Sequence, residues 1–153
     1  MEKFQVGPSV DARAELLHLL VHNGFAFREQ DGRFQLVFSD SGCKWQTECV
    51  CREQTVLFYS SFPFVIRDGP AFDQQCREIN RQAVFGALLR VGDRAVYRTA
   101  AALPDAFSAY EQLGRMLEYN AGMMVRFWNT VAACAQPQSL SHMDMRDSTS
   151  CVL

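Results

Sequence analysis

The stretch DGRFQLVFSDSGCKWQTECVCREQTVLFYSSF, residues 31–62, alternates apolar with polar side chains through three successive runs. Side chains in a strand point to opposite faces with a period of two, so the apolar positions of each run share one face. The pair Asp31-Gly32 is typical of a two-residue hairpin, because both positions tolerate positive φ. The connections between the runs are short, which favours antiparallel pairing. The stretch therefore predicts an antiparallel meander with one apolar face.

Helices are predicted on both sides of this meander. Residues 9–23 precede it with an apolar stripe at helical spacing, and Ser9 or Asp11 can accept hydrogen bonds from the first-turn N–H groups. A second helix is expected to start at residues 68–70, where the order Asp-Gly-Pro places proline in the first turn. Its apolar side chains fall on one face, so this helix is expected to cover the sheet.

The C-terminal half is predicted to add a hairpin and a long helix. Strands over residues 84–91 and 94–101 flank a Gly-Asp turn. Asp105 is then expected to cap one continuous helix of about thirty residues that ends near Ala135. The apolar face of this helix is expected to pack on the sheet, and part of it is a candidate surface for a second subunit or a client. The candidates on this face are Gly114, Leu117, Ala121, Met124 and Trp128.

The predicted element order is α-β-β-β-(β)-α-β-β-α, which defines an α+β class with an antiparallel sheet of about five to six strands. Residues 1–135 are predicted to form one domain, since a chain of this length suits a single core. Residues 136–153 are polar and lack periodicity, so they are predicted to form a flexible C-terminal tail.

Composition argues against several classes of protein. Fifteen basic and seventeen acidic residues give a net charge of −2, which argues against general affinity for nucleic acid and leaves room only for a local basic patch. No stretch approaches the roughly eighteen consecutive apolar residues of a membrane span. The six cysteines accompany no export signal, so reduced thiols and a cytoplasmic location are predicted.

No pattern in the sequence specifies catalysis. The most specific function that four of the cysteines could have is to bind zinc. These are Cys43, Cys49, Cys51 and Cys76. Their spacings differ from the paired C-x2–4-C pattern of zinc sites, so packing as reduced thiols is the simpler interpretation. His18 and His22 share a helix face with Glu15, where a solvated polar face is a simpler explanation than a metal. The sequence therefore predicts no catalytic residue, no cofactor and no metal site.

The arginines carry more information than the other charged residues. Thirteen of the fifteen basic residues are arginine, whose forked guanidinium suits carboxylates and phosphates. Arg90 and Arg98 lie on the predicted C-terminal hairpin and are candidates for binding an acidic partner segment. A solvated face with local ion pairs is the alternative explanation.

Several short segments carry a likeness to known proteins. The run VLFYSSFPF, residues 56–64, ends in a Phe-Pro pair, and Asn80 ends a predicted helix before a hairpin with Gly86 and Val96-Tyr97-Arg98. These segments resemble the YbjN-like bacterial family, within the type III secretion chaperone-like fold. The likeness covers about residues 12–135.

The resemblance implies a cytoplasmic, non-catalytic protein that binds other proteins and is often a homodimer. Secretion chaperones of this fold hold an extended segment of a secreted client against hydrophobic patches. An edge strand can add such a segment, and neighbouring aromatic side chains can supply pockets for it. The candidates for these pockets are Trp45, Phe58, Phe62 and Phe64.

Three hypotheses follow for function. The first is a protein-binding module, chaperone-like or a regulatory adaptor, that takes a protein segment through hydrophobic patches. The second is a small-molecule sensor or enzyme with a pocket between the sheet and the long C-terminal helix. The third is a structural subunit of a larger assembly. A deep pocket with converging polar groups would favour the second, and a broad apolar surface would favour the first.

Overall fold

The computed structural model describes residues 10–135, which form four helices and six strands. The helices are α1 (Ala12–His22), α2 (Gly69–Gln82), α3 (Ala109–Arg126) and α4 (Trp128–Cys134). The strands are β1 (Phe27–Gln30), β2 (Arg33–Asp40), β3 (Cys43–Arg52), β4 (Thr55–Val65), β5 (Ala87–Val91) and β6 (Arg94–Ala102). The predicted C-terminal tail, residues 136–153, lies outside the described residues.

The six strands form one open antiparallel sheet in the order β1-β2-β3-β4-β6-β5. The first four strands follow chain order, because two-residue turns join them. The last hairpin then folds back so that β6 pairs with β4 and leaves β5 at an edge. The predicted α+β class and antiparallel sheet are confirmed, and the optional fourth strand of the meander is present.

Local chemistry explains where the first elements begin and turn. Asp31 and Gly32 have φ of 55° and 78°, the left-handed pair that a two-residue hairpin requires, so the predicted turn is confirmed. The Asp11 carboxylate accepts a hydrogen bond from the Ala14 N–H at 3.1 Å. Asp11 is therefore the cap of α1, which begins at Ala12, and Ser9 lies outside the described residues.

The helices pack on one face of the sheet and bury two groups of apolar side chains. The first group lies under α1 and the N-terminal half of α3, and it includes Leu16, Phe34 and Phe58. The second lies under α2, α4 and the C-terminal half of α3, and it includes Phe72 and Tyr97. The long helix α3 spans both groups and joins them over the middle of the sheet.

A buried amide fixes α3 to the strands beneath it. The Nδ2 group of Asn120 lies 3.2 Å from each of three acceptors, the carbonyls of Phe58 and Tyr97 and the Thr99 hydroxyl. Its Oδ1 atom accepts a hydrogen bond from Ser60, whose hydroxyl is 2.6 Å from that of Thr47. All four polar side chains are at most 1% exposed. Their hydrogen-bonding groups are satisfied without water, as buried polar groups require.

A second asparagine covers one edge of the sheet. Asn80, in the last turn of α2, accepts a hydrogen bond from the Leu88 N–H at 2.7 Å and donates one to the Leu88 carbonyl at 3.0 Å. Leu88 lies on the edge strand β5, and its outward backbone groups are paired as they would be with a neighbouring strand. The side chain therefore blocks addition of a further strand at that point.

The structure corrects the prediction of one continuous helix from Asp105 to Ala135. The helix starts at Ala109, because the Asp105 carboxylate accepts the Ser108 N–H and holds a turn before it. It is interrupted at Phe127, where φ is −106° and ψ is 15°. This bend lets Trp128 pack against Phe64, with ring centroids 5.1 Å apart. Phe107 falls inside the predicted helix span, but it precedes the observed helix and is 96% exposed.

The prediction that the fifth strand begins at Val84 is also wrong. Strand β5 begins at Ala87, and Gly86 before it has a φ of 74°. A Cβ atom at Gly86 would lie 2.1 Å from the carbonyl oxygen of Arg98. The chain approaches β6 so closely here that only glycine fits.

We predict that replacing this glycine destabilises the sheet far more than replacing one in an open turn. Gly86→Ala should lower the free energy of unfolding by about 3 kcal/mol or more, through left-handed strain and the clash with Arg98. The matched control is Gly92→Ala, which has a φ of 65° and nothing within 4 Å of the added Cβ. It should cost about 1 kcal/mol. Urea denaturation measures both, and equal losses would contradict the close approach.

We also predict that the amide of Asn120 contributes strongly to stability. Asn120→Ala should lower the free energy of unfolding by about 3 kcal/mol, because it leaves Ser60 and two strand carbonyls without their partner. The control is Asn129→Ala on the exposed face of α4, which should change stability by less than about 0.5 kcal/mol. Thermal unfolding followed by circular dichroism provides the measurement. A loss at position 120 no larger than the control loss would show that the network is dispensable.

Candidate binding groove

A solvent-open groove of about 460 Å³ lies where the two buried groups meet. Its walls are the C-terminal half of α1 with the segment that follows it, the first two thirds of α3, and the end of β2 with the start of β3. Apolar side chains provide most of its surface. They are Leu19, Phe25, Phe38, Trp45, Leu117 and Ala121, with Gly114 between them.

Small residues on α3 keep the groove open. The φ of Gly114 is not in the left-handed region, so its backbone does not require glycine. A Cβ atom there would lie 3.9 Å from Leu19, an ordinary contact distance. Glycine at this position weakens the helix by about 1 kcal/mol relative to alanine. Its effect on the fold is to leave space in the groove rather than to permit a turn.

Aromatic rings form the floor of the groove and continue into the core. Phe38 stacks on Trp45 with centroids 5.6 Å apart, and Trp45 lies 6.0 Å from Trp128. The indole N–H groups of both tryptophans are buried and have no hydrogen-bond acceptor among the described residues. An unpaired buried donor costs about 1–3 kcal/mol. The floor is therefore held by aromatic packing rather than by hydrogen bonds.

Polar groups are confined to the rim. The amide of Asn23 donates to the Tyr110 hydroxyl at 3.0 Å, and the Tyr110 ring packs against His18 and His22 with centroids about 5.6–5.7 Å away. The carboxylates of Asp40 and Glu118 complete the polar part of the rim. These groups surround the opening and do not converge on one point inside it.

The structure places the four predicted aromatic residues in the core. Trp45, Phe58, Phe62 and Phe64 are at most 4% exposed, and of these only Trp45 lines the groove. Phe58 lies under α1 and α3, and the other two pack around Trp128. They do not form a row beside an open edge, so their contact with a partner remains a prediction that needs the helices to move.

The predicted helix face is divided between the groove and the core. Gly114, Leu117 and Ala121 line the groove together. Met124 and Trp128 are 0% and 4% exposed and belong to the second buried group. Met124 already faces the core within α3, and Trp128 follows the bend. The use of this face by a second subunit or a client stays a prediction.

The two predicted arginines do not meet. Arg98 alternates with core residues of β6 and lies exposed on the side of the sheet away from the helices. Arg90 lies on the helix side at the β5 edge, where its guanidinium donates to the Gly92 carbonyl at 3.0 Å. A single acidic segment therefore has no short path between them.

The cysteines that the structure describes are poor nucleophiles. Burial raises the pKa of the Cys49 thiol strongly, and it also raises the pKa of Cys51, Cys76 and Cys134. A raised thiol pKa lowers the fraction of reactive thiolate at neutral pH. Within residues 10–135, no group of three or more Cys, His, Asp or Glu side chains is arranged to hold a metal ion. Cys151 lies outside the described residues.

Among the helices of residues 10–135, none is long and apolar enough to cross a membrane.

Comparison with known proteins gives a clear likeness to a solved structure. No protein-family model matches the chain, and a search of curated proteins finds no match. Among solved structures, YbjN from E. coli, described there as a proposed transcription regulator, superposes with a TM-score of 0.62. The alignment has 16% sequence identity and covers 85% of this chain and 100% of that one. The chain therefore has a YbjN-like fold, as the short segments predicted.

Proposed function

We propose that this chain is a non-catalytic protein-binding module, a regulatory adaptor or chaperone-like protein that takes one protein segment through its apolar groove. The observation that carries the proposal is the groove itself, where aromatic and aliphatic walls surround a gap left by Gly114. An amphipathic segment with two or three apolar anchors can fill such a groove, and its polar side then faces solvent.

The charges on the rim indicate what flanks those anchors. Asp40 and Glu118 stand at the opening, and no ion pair within residues 10–135 includes either of them. A partner segment with lysine or arginine beside its apolar residues would pair with these carboxylates at the edge of the contact. Rim charges of this kind mainly affect association rate and specificity.

A regulatory role is supported by the YbjN-like fold, because the E. coli protein is described as a proposed regulator of transcription. The five described cysteines are free thiols, which is typical of a reducing compartment, and we therefore include a cytoplasmic location in the proposal. The narrower role of a type III secretion chaperone rests on the resemblance alone.

A small-molecule sensor is the second candidate. The groove lies between the sheet and α3, as that hypothesis required, and its volume falls in the usual range of ligand pockets. The polar groups argue against it, because they surround the mouth instead of converging inside. Ligand pockets generally fix a small molecule with polar groups placed within the cavity.

We predict that filling the groove abolishes partner binding without unfolding the chain. Gly114→Leu should raise stability by up to about 1 kcal/mol, because leucine favours a helix over glycine, while its side chain occupies the groove. Gly122→Leu is the matched control, eight residues further along α3 and outside the groove. Partners retained from native lysate should be lost at least about tenfold with Gly114→Leu only.

Two results would contradict the groove as the binding site. Retention of the same proteins by both variants would place the contact elsewhere on the molecule. A metabolite found by native mass spectrometry in the parent chain and in Gly122→Leu, but absent from Gly114→Leu, would favour the sensor.

The proposal includes a homodimer, in line with the family that the sequence resembles. Size-exclusion chromatography with light scattering should give a mass of twice 17.3 kDa at micromolar concentration. A mass of 17.3 kDa under these conditions would show that the chain works as a monomer and would remove the second subunit from the proposal.

A further inference from the structure

The sheet has a second face, turned away from the four described helices, whose side chains alternate with those of the core. The strand register fixes its members, because each residue on it stands beside another across the sheet. One row crosses all six strands in spatial order and consists of Arg28, Gln35, Glu48, Tyr59, Arg98 and Ala87. We call this face the open face. It consists of the row and of the other strand residues whose side chains point away from the core.

The open face is strongly basic although the chain is acidic. Its basic side chains are Arg28, Arg33, Lys44, Arg52, Arg94 and Arg98, all of them exposed. The strands contribute a single acidic side chain to this face, Glu48. Six of the fifteen basic residues of the chain therefore lie on this one face, although the net charge of the whole chain is −2.

Most of this positive charge is available to a partner. Arg33 pairs with Glu48 at 3.3 Å. The other five basic side chains form no ion pair within residues 10–135. Arg28 and Arg98 stand at the two sides of the central row, about 19 Å apart for four strand spacings.

Apolar side chains fill the space between the charges. Val37 and Val91 are 63% and 59% exposed, and they stand at opposite sides of the sheet. Half-buried residues connect them across the middle, namely Val50, Leu57, Tyr59 and Leu89. A shallow recess of about 300 Å³ lies over this part of the face and is bounded by Arg33 and Arg52.

We infer that the open face is a second docking surface, which binds an acidic protein segment whose carboxylates alternate with apolar residues. Charge complementarity selects the carboxylates, since guanidinium groups bind them through forked hydrogen bonds. The valine and leucine positions accept the apolar residues between them. The segment crosses the strands and leaves the groove under the helices free.

A nucleic acid fits the same surface less well. The hairpin turns at the two ends of the sheet carry Asp31 and Glu53 at one end and Asp93 at the other. These carboxylates would repel a phosphate backbone that ran along the strands. Single-stranded nucleic acid is held by several stacking aromatic rings, and the open face has one ring, that of Tyr59.

Fluorescence anisotropy with defined probes tests this inference on the full chain. The main probe is a labelled peptide of about ten alternating glutamate and valine residues, long enough to cross the sheet. A peptide with glutamine in place of glutamate and a single-stranded oligonucleotide of equal charge are the comparison probes. The acidic peptide should bind most tightly, and its affinity should fall as salt rises.

Paired substitutions locate the binding site. Arg52→Gln with Arg98→Gln removes two charges from the open face and should weaken the acidic peptide about tenfold. Arg67→Gln with Arg77→Gln removes two exposed charges from the helix side and should leave its affinity within about twofold. Arg52→Lys with Arg98→Lys keeps the charge and should retain most of the binding. Arg28→Gln with Arg94→Gln removes two other exposed charges from the open face and replaces the first glutamine pair if that variant fails to fold.

Three outcomes would overturn the inference. The first is no saturable binding of the acidic peptide at low salt. The second is equal weakening by the open-face pair and the helix-side pair. The third is tighter binding of the oligonucleotide with the same loss in the open-face pair, which would make this a nucleic-acid surface. Gly114→Leu should leave the affinity for the acidic peptide unchanged. A failure of the open-face inference can therefore be distinguished from a failure of the groove as a binding site.

Discussion

The amide of Asn120 is the interaction on which the arrangement of this molecule depends. One side chain of α3 reaches two strand carbonyls and two hydroxyls, and through Ser60 it also reaches Thr47 on a third strand. Apolar packing alone would allow a helix to slide or rotate on the sheet, because it has no preferred direction. The amide has a defined set of partners, so it fixes both the position and the rotation of α3. The rotation in turn decides which residues face the groove and which enter the core.

The sequence predicted most of the sheet because alternation and turn chemistry are local signals. Asp31 and Gly32 need only their neighbours to form a left-handed turn, and the apolar positions of β2 to β4 mark the buried face directly. The bend at Phe127 has no such signal, since the helical periodicity continues through it. Packing of Trp128 among aromatic residues far away in the chain determines that bend. The late start of β5 has a similar origin, because the close approach of Gly86 to Arg98 is a contact between distant residues.

The candidate site was predictable in part for the same reason. Helical spacing correctly groups Gly114, Leu117 and Ala121, which line the groove together. Helical spacing predicts only the side of the helix on which a residue lies. It cannot distinguish a side chain that lines a groove from one that is buried in the core. Trp45 and Phe58 show this limit, because both occupy core-facing positions of a strand and only Trp45 lines the groove. Strand order brings Arg98 onto a face with Arg28, a relation that requires all the registers between them.

The strand alternation that predicts the apolar face also defines the basic face, and this changes what the total charge means. A net charge of −2 describes a chain whose strands place six basic side chains and one acidic side chain on the open face. Electrostatic recognition at close range depends on the local charges, because salt screens exposed charges beyond about 8–10 Å. The net charge of the whole chain is therefore a weak argument about any partner that contacts only the open face. The carboxylates at the two ends of the sheet and the single aromatic ring are the stronger arguments against a nucleic acid. They favour a protein segment that crosses the strands between those two ends of the sheet.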